Sequence, residues 1–195
     1  QKIMSDVATV LDSSSSSNAW YDPSADFSGV MPVGTYKAYA KELIVKENLV
    51  VRGKFLADVY EVKFEVAEEN ADNVYDVDGK EINGKNFVGK EIRSKGFFRF
   101  KTPDKSIYPN LEENSGSNKS YMELIESFGV ETEADNEGRF FLPNVDESDI
   151  VGMPVILEVF HDEWTDNQRN NRTTPKAGAI FTWDGQKRRL ADLPF

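Results

Sequence analysis

Cations and aromatic rings alternate along residues 91–101, and these side chains are the ones best suited to chemistry in this chain. In a β-strand, successive side chains point to opposite faces. One face of such a strand carries Arg93, Lys95, Phe97, Arg99 and Lys101, and the other carries Ile92, Phe98 and Phe100. Cations for phosphates and a ring for a base are what a single-stranded nucleic-acid platform needs. Two earlier segments repeat the pattern. In residues 34–41, Lys37, Tyr39 and Lys41 share a face, with Tyr36, Ala38 and Ala40 opposite. In residues 46–55, Lys46, Val50, Arg52 and Lys54 oppose Leu49, Val51 and Phe55. On this reading Phe97 and Tyr39 stack on bases. Lys37, Lys41, Arg52, Lys54, Arg93, Lys95, Arg99 and Lys101 track the backbone and release counterions.

A further basic segment, residues 167–176, carries Arg169, Arg172 and Lys176 and reads as a polar hairpin tip that folds over a strand. Catalytic patterns are sparse. His161 is the only histidine, beside Asp162 and Glu163, and a metal site needs further ligands that the sequence does not place near it. Asp76 and Asp78 before Gly79 lack the ladder of oxygen ligands and the closing glutamate of a calcium loop. No glycine-rich phosphate loop or nucleophile elbow is present. The expectation is a binding protein without cofactor or metal. A metal-dependent nuclease built on His161 is the enzymatic rival, and a structural or adaptor β-domain of a viral or macromolecular complex is the non-enzymatic one.

These side chains sit in a chain of 195 residues with a formal net charge of -11, enough for one sizeable core. An acidic total excludes a coat driven by overall positive charge, but leaves room for a locally basic groove. With no cysteine, disulfides and thiolate metal sites are excluded. No window is apolar for the length of a membrane span, so no membrane association and a cytoplasmic location are expected. The chain opens at Gln1 rather than Met, so a few leading residues are expected to be missing or processed.

The elements that must position the site follow from periodicity. Residues 1–29 include the serine run Ser13 to Ser17 and read as a flexible tail; residues 30–189 read as the folded domain. Tyr60, Val62, Phe64 and Val66 form one apolar strand face. Ser120 to Glu123 matches a capping box, Met122, Leu124, Ile125 and Phe128 form a helix stripe, and Gly129 is a stop. Phe140 to Leu142, Val155 to Phe160 and Ala179 to Trp183 are further strand candidates. Five or six strands and one helix predict a mainly β protein, an OB-like antiparallel β-barrel with a helical plug.

The chain ends Leu190-Ala191-Asp192-Leu193-Pro194-Phe195. This resembles the protein-interaction tip of bacterial single-stranded DNA-binding proteins, where an acidic stretch precedes a Pro-Phe pair. Here Asp192 is the only acid of the tip, and Lys187, Arg188 and Arg189 precede it. The resemblance implies that residues 190–195, with Asp192, Leu193, Pro194 and Phe195 in contact, bind replication or recombination proteins. Across residues 30–195, the order of Pro32-Val33-Gly34-Thr35-Tyr36, the Tyr60 to Val66 strand, Glu126-Ser127-Phe128-Gly129 and Ile150-Val151-Gly152-Met153-Pro154-Val155 resembles phage-encoded OB-fold single-stranded DNA-binding proteins. It implies sequence-independent, cooperative coating of single-stranded DNA in phage replication or recombination, as a homo-oligomer or filament in the host cytoplasm.

Overall fold

A computed structural model describes residues 18–21, 30–68, 74–75, 81–82 and 84–182. The chain order is β1 (Gly34–Val51), β2 (Phe55–Val66), β3 (Val74–Tyr75), β4 (Glu81–Ile82), β5 (Glu91–Ser94), β6 (Phe97–Lys101), α1 (Lys119–Ser127), α2 (Glu147–Ile150), β7 (Pro154–Thr165) and β8 (Asn171–Thr182). β1 pairs with β2, β2 with β5, β5 with β8, β8 with β7, and β7 returns to β1. This closes a five-stranded, OB-like barrel. Every pairing in it is antiparallel except β5 with β8. β6 extends β5 along the far end of β2, and β3 and β4 form a separate two-stranded ribbon. Among the described residues, no helix is long and apolar enough to cross a membrane.

The barrel interior follows the alternation read from the sequence. Tyr36, Ala38 and Ala40 of β1 and Tyr60, Val62, Phe64 and Val66 of β2 all lie in the main core. Tyr121, Leu124 and Ile125 from α1 and Phe128 just after it close the core. Met122, expected in the stripe, is only half-buried and lines an outer groove, its inward place taken by Tyr121. Gly129, at φ 80°, follows in the left-handed region that glycine enters without steric cost.

Two parts of the helix reading change. Asn118, not Ser120, is the residue preceding α1, and its side chain makes no cap hydrogen bond. Instead Asn118 Oδ1 accepts from the Phe100 N–H at 2.7 Å, while its Nδ2 donates to the Phe100 carbonyl at 3.0 Å. It therefore acts as a strand partner for β6. A capping box does form, but at α2, where Asp146 caps and Asp149 reaches back.

Two irregularities decide which side chains face outward. β1 is a single long strand rather than two, with one extra residue near Lys41 and another between Lys46 and Leu49. Each bulge inverts the faces beyond it. The second contains Asn48 at φ 55°, a conformation asparagine tolerates. The other irregularity separates β5 from β6. Ile92 and Ser94 point inward, Lys95 is exposed, and Phe97 is again buried, so the two residues Lys95 and Gly96 shift the alternation by one. Ser94 Oγ accepts the Val62 N–H at 3.0 Å at this break. A Cβ on Gly96 would stand 3.0 Å from Val59 Cγ1, so glycine lets the chain pass close to β2.

The remaining differences concern lengths. Phe140 makes only an isolated bridge to Ala134, and Phe140 to Leu142 is a loop. β7 and β8 run on into the segment read as a polar tip, leaving a turn over residues 166–170.

Candidate nucleic-acid interface

The expected stacking rings are inside the protein. Phe97 is 5% exposed and belongs to the main core. Tyr39 is 2% exposed, packed with Ala67 and Val151 where the chain after α2 crosses β1. Neither can receive a base, and both assignments are corrected. For Phe97 the cause is the shift at Lys95 and Gly96. For Tyr39 it is the covering segment, tied to β1 by Gly152 N–H donating to the Ala40 carbonyl at 2.9 Å and Ala40 N–H to the Met153 carbonyl at 3.0 Å.

Half of the expected phosphate-binding cations, Lys41, Arg93, Arg99, Lys101 and Arg172 among ten, have carboxylate partners. Arg99 and Lys101 share the face of β6 that continues the barrel interior, and between them lies Asp58, a buried acid. Lys101 Nζ stands 2.9 Å from Asp58 Oδ1, and Arg99 Nη1 is 3.7 Å from Asp58 Oδ2. Asp58 Oδ1 also accepts the N–H of Asn48 at 2.9 Å, which locks the β1 bulge. Arg99 spends Nε and Nη2 on the Leu142 carbonyl, at 3.0 and 2.9 Å. These two cations hold the structure together.

Lys41 is bonded to Glu91 and lies 3.8 Å from Glu65. The bond to Glu91 raises the Lys41 pKa and lowers that of Glu91. Burial raises the pKa of Glu65, whose Oε2 has no hydrogen-bond partner. Arg93 is exposed, 3.7 Å from Glu61. Lys37 is half-buried on β1. Arg169 occupies the exposed β7–β8 turn at φ 62°, and Arg172, at the start of β8, holds Asp166 at 3.0 Å. Asp192, Leu193, Pro194 and Phe195 lie outside the described residues, as does nearly all of the 1–29 tail.

The same shift that buries Phe97 turns Phe98 and Phe100 outward. Directly opposed residues of an antiparallel pair share a face. Phe98 opposes Val59 and Phe100 opposes Ala57, while Leu49 opposes Ala57 and Val51 opposes Phe55 from β1. The result is an apolar outer face across three strands. Phe98 is 39% exposed; its ring stacks on that of Phe100 at 5.8 Å between centroids and 17° between planes. Phe55 meets Phe100 edge-on at 6.0 Å and 88°. The rings line a groove of ≈ 390 Å³ with Arg52, Lys95 and the polar groups of Asn114, Ser117 and Ser120.

Arg52 and Lys54 stand on the β1–β2 hairpin. Positive φ at both Arg52 (54°) and Gly53 (68°), with Lys54 N–H donating to the Val51 carbonyl at 3.0 Å, are the φ signs and closing bond of a type I′ turn. Lys95 places its ammonium 5.2 Å from the Phe97 ring centroid. Arg52, Lys54 and Lys95 are exposed and form no ion pair with a described carboxylate. Two expected cations, Arg52 and Lys95, thus line one groove, with Lys54 on the same hairpin turn as Arg52, beside rings that strict alternation assigns to the interior. The signal that could have found them is Gly96, because an isolated glycine inside a strand marks a bulge or a close backbone approach.

Among the described residues, no group of three or more His, Asp or Glu side chains could hold a metal. His161 Nε2 lies 2.8 Å from the Met31 carbonyl, which ties the segment entering β1 to β7. No protein-family model and no curated protein sequence matches this chain.

Proposed function

We propose that this protein binds single-stranded DNA with little sequence preference, using the groove between the β1–β2 hairpin and β6. Bases stack on Phe98 and Phe100, with Phe55 closing the end of the platform, and phosphates meet Arg52, Lys54 and Lys95. The observation that carries the reading is the outward stacked pair Phe98–Phe100 beside cations that no described carboxylate neutralises. Exposed phenylalanine on a barrel face costs solvation, and base stacking is one chemistry that returns it while tolerating any sequence. The negative total charge fits the same picture, since nucleic acid is repelled from every surface except the one that is locally basic.

The order of sequence motifs and the Pro-Phe end support a place in phage DNA replication or recombination, with Asp192 to Phe195 contacting partner proteins and the host cytoplasm as the setting. The test is the double substitution of Phe98 and Phe100 by Ala. Each stacked base contributes about 1–3 kcal/mol, so affinity for an oligo-dT strand should fall at least tenfold with the melting temperature little changed. Undiminished affinity in a folded variant would refute the platform and favour the adaptor reading, in which the rings meet another protein.

A further inference from the structure

Phe100 is also a wall of a second, wider groove of ≈ 1070 Å³, between β6, α1 and the loop over residues 133–142. On its far side stand Phe140 and Phe141, 48% and 76% exposed, an unusual pair to leave in water. Their loop is firmly built. Asp135 N–H donates to the Arg139 carbonyl at 2.8 Å, and the Asp135 carboxylate accepts the N–H groups of Glu137 and Arg139, both at 2.9 Å. The Arg99 guanidinium clamps the Leu142 carbonyl just after the two rings. The rings are therefore held out from an anchored loop.

The charges of this groove are largely satisfied within the protein. Arg99 and Lys101 serve Asp58, Arg139 bridges Asp135 and Glu137 at 3.0 and 3.1 Å, and Glu113 accepts from Thr102. Lys119 at the rim lies 3.9 Å from Glu123, so each cation lining the groove has a carboxylate near it, and the exposed surface left is that of the rings. It suits the bases of a strand rather than its phosphates.

We infer that Phe140 and Phe141 form a second stacking subsite, into which the single strand seated on Phe98 and Phe100 continues past the shared ring of Phe100. This rests on the proposed binding function. It adds a direction for the strand, from the β1–β2 hairpin toward α1, and a subsite whose contribution does not depend on salt.

The experiment compares oligo-dT of roughly 4 and roughly 16 nucleotides, spanning the site sizes of single barrels, on wild type and on Phe140→Ala/Phe141→Ala. The long strand should lose at least about fivefold in affinity, the low end of one stacked base, while the short strand loses nothing. Between roughly 50 and 200 mM salt the fold-loss should stay constant, because no counterion is released there. Phe141→Tyr should restore long-strand binding, which a mere folding defect would not allow. An equal loss on both lengths, no loss on either, or a loss that grows as salt falls would overturn the subsite. If wild type binds neither strand, the binding function itself fails and the subsite falls with it.

Discussion

Asp58→Asn separates structural cations from binding cations. Asp58 keeps only 6% of its side chain exposed while it faces Lys101 at 2.9 Å and Arg99 at 3.7 Å. The substitution removes the charge and preserves an oxygen able to accept the Asn48 N–H. Removing one partner of a buried ion pair costs about 3–5 kcal/mol, because the remaining charge is left without compensation. Here Arg99 and Lys101 retain 16% and 25% exposure and can turn partly to water. The discounted loss is about 2–3 kcal/mol, with the upper figure reserved for Asp58→Ala, which also orphans the Asn48 N–H. For a domain of this size that is a fall of roughly 5–10 °C in melting temperature. The assay is urea unfolding with thermal melting alongside, where the midpoint should drop at constant slope. A melting temperature within about 1 °C of wild type would mean that Asp58 does not hold the two cations. Arg99 and Lys101 would then be as free to meet phosphate as their alternation with Lys95 and Phe97 first suggests.

Two further outcomes follow from the core and the bulge. Phe97→Ala should destabilise the protein by about 3–5 kcal/mol through the cavity it leaves, read by urea unfolding; a stable variant that merely binds DNA poorly would return Phe97 to the surface. Glu65→Gln should raise the melting temperature at pH 7, since burial raises the pKa of Glu65 and ionising it in the folded state costs stability. The native state holds that proton more tightly than the unfolded chain. The cost therefore grows as pH rises through the ordinary glutamate range, and the advantage of glutamine should vanish near pH 4. A lower melting temperature at pH 7 would mean that attraction to Lys41 outweighs desolvation.

Much of the barrel was legible because inward side chains announce themselves by period and size. Tyr36, Ala38 and Ala40, and Tyr60 through Val66, needed only strict alternation to be placed inside. Leu124, Ile125, Phe128 and the glycine stop were equally direct, whereas Tyr121 takes the inward place that spacing gave to Met122. What alternation cannot carry is a change of register. One extra residue near Asn48 and the two-residue break at Lys95 and Gly96 each invert every face beyond them. The rings lie beyond these inversions, so alternation places them inside, whereas Arg52 and Lys54 at a hairpin turn and Lys95 at the break itself are exposed in either register. Ion pairing is similarly invisible along a sequence. Nothing in the run Arg99-Phe100-Lys101 reveals that Asp58, on the neighbouring strand, faces both cations. Tyr39 reads as a surface residue until the chain following α2 is seen to cross it. Asn118 shows the converse, a polar side chain that looks like a helix cap and instead pairs with a strand.

On the proposed function, the groove of Phe55, Phe98 and Phe100 with Arg52 and Lys95 holds single-stranded nucleic acid. The direct measurement is fluorescence anisotropy of a labelled oligo-dT strand titrated with wild-type protein at low and moderate salt, with a duplex of equal length as control. Single-strand binding should be saturable and weaken as salt rises, with a shallow slope set by about three phosphate contacts, and duplex should bind much more weakly. Absence of binding at micromolar protein in low salt, or equal affinity for duplex, would contradict it.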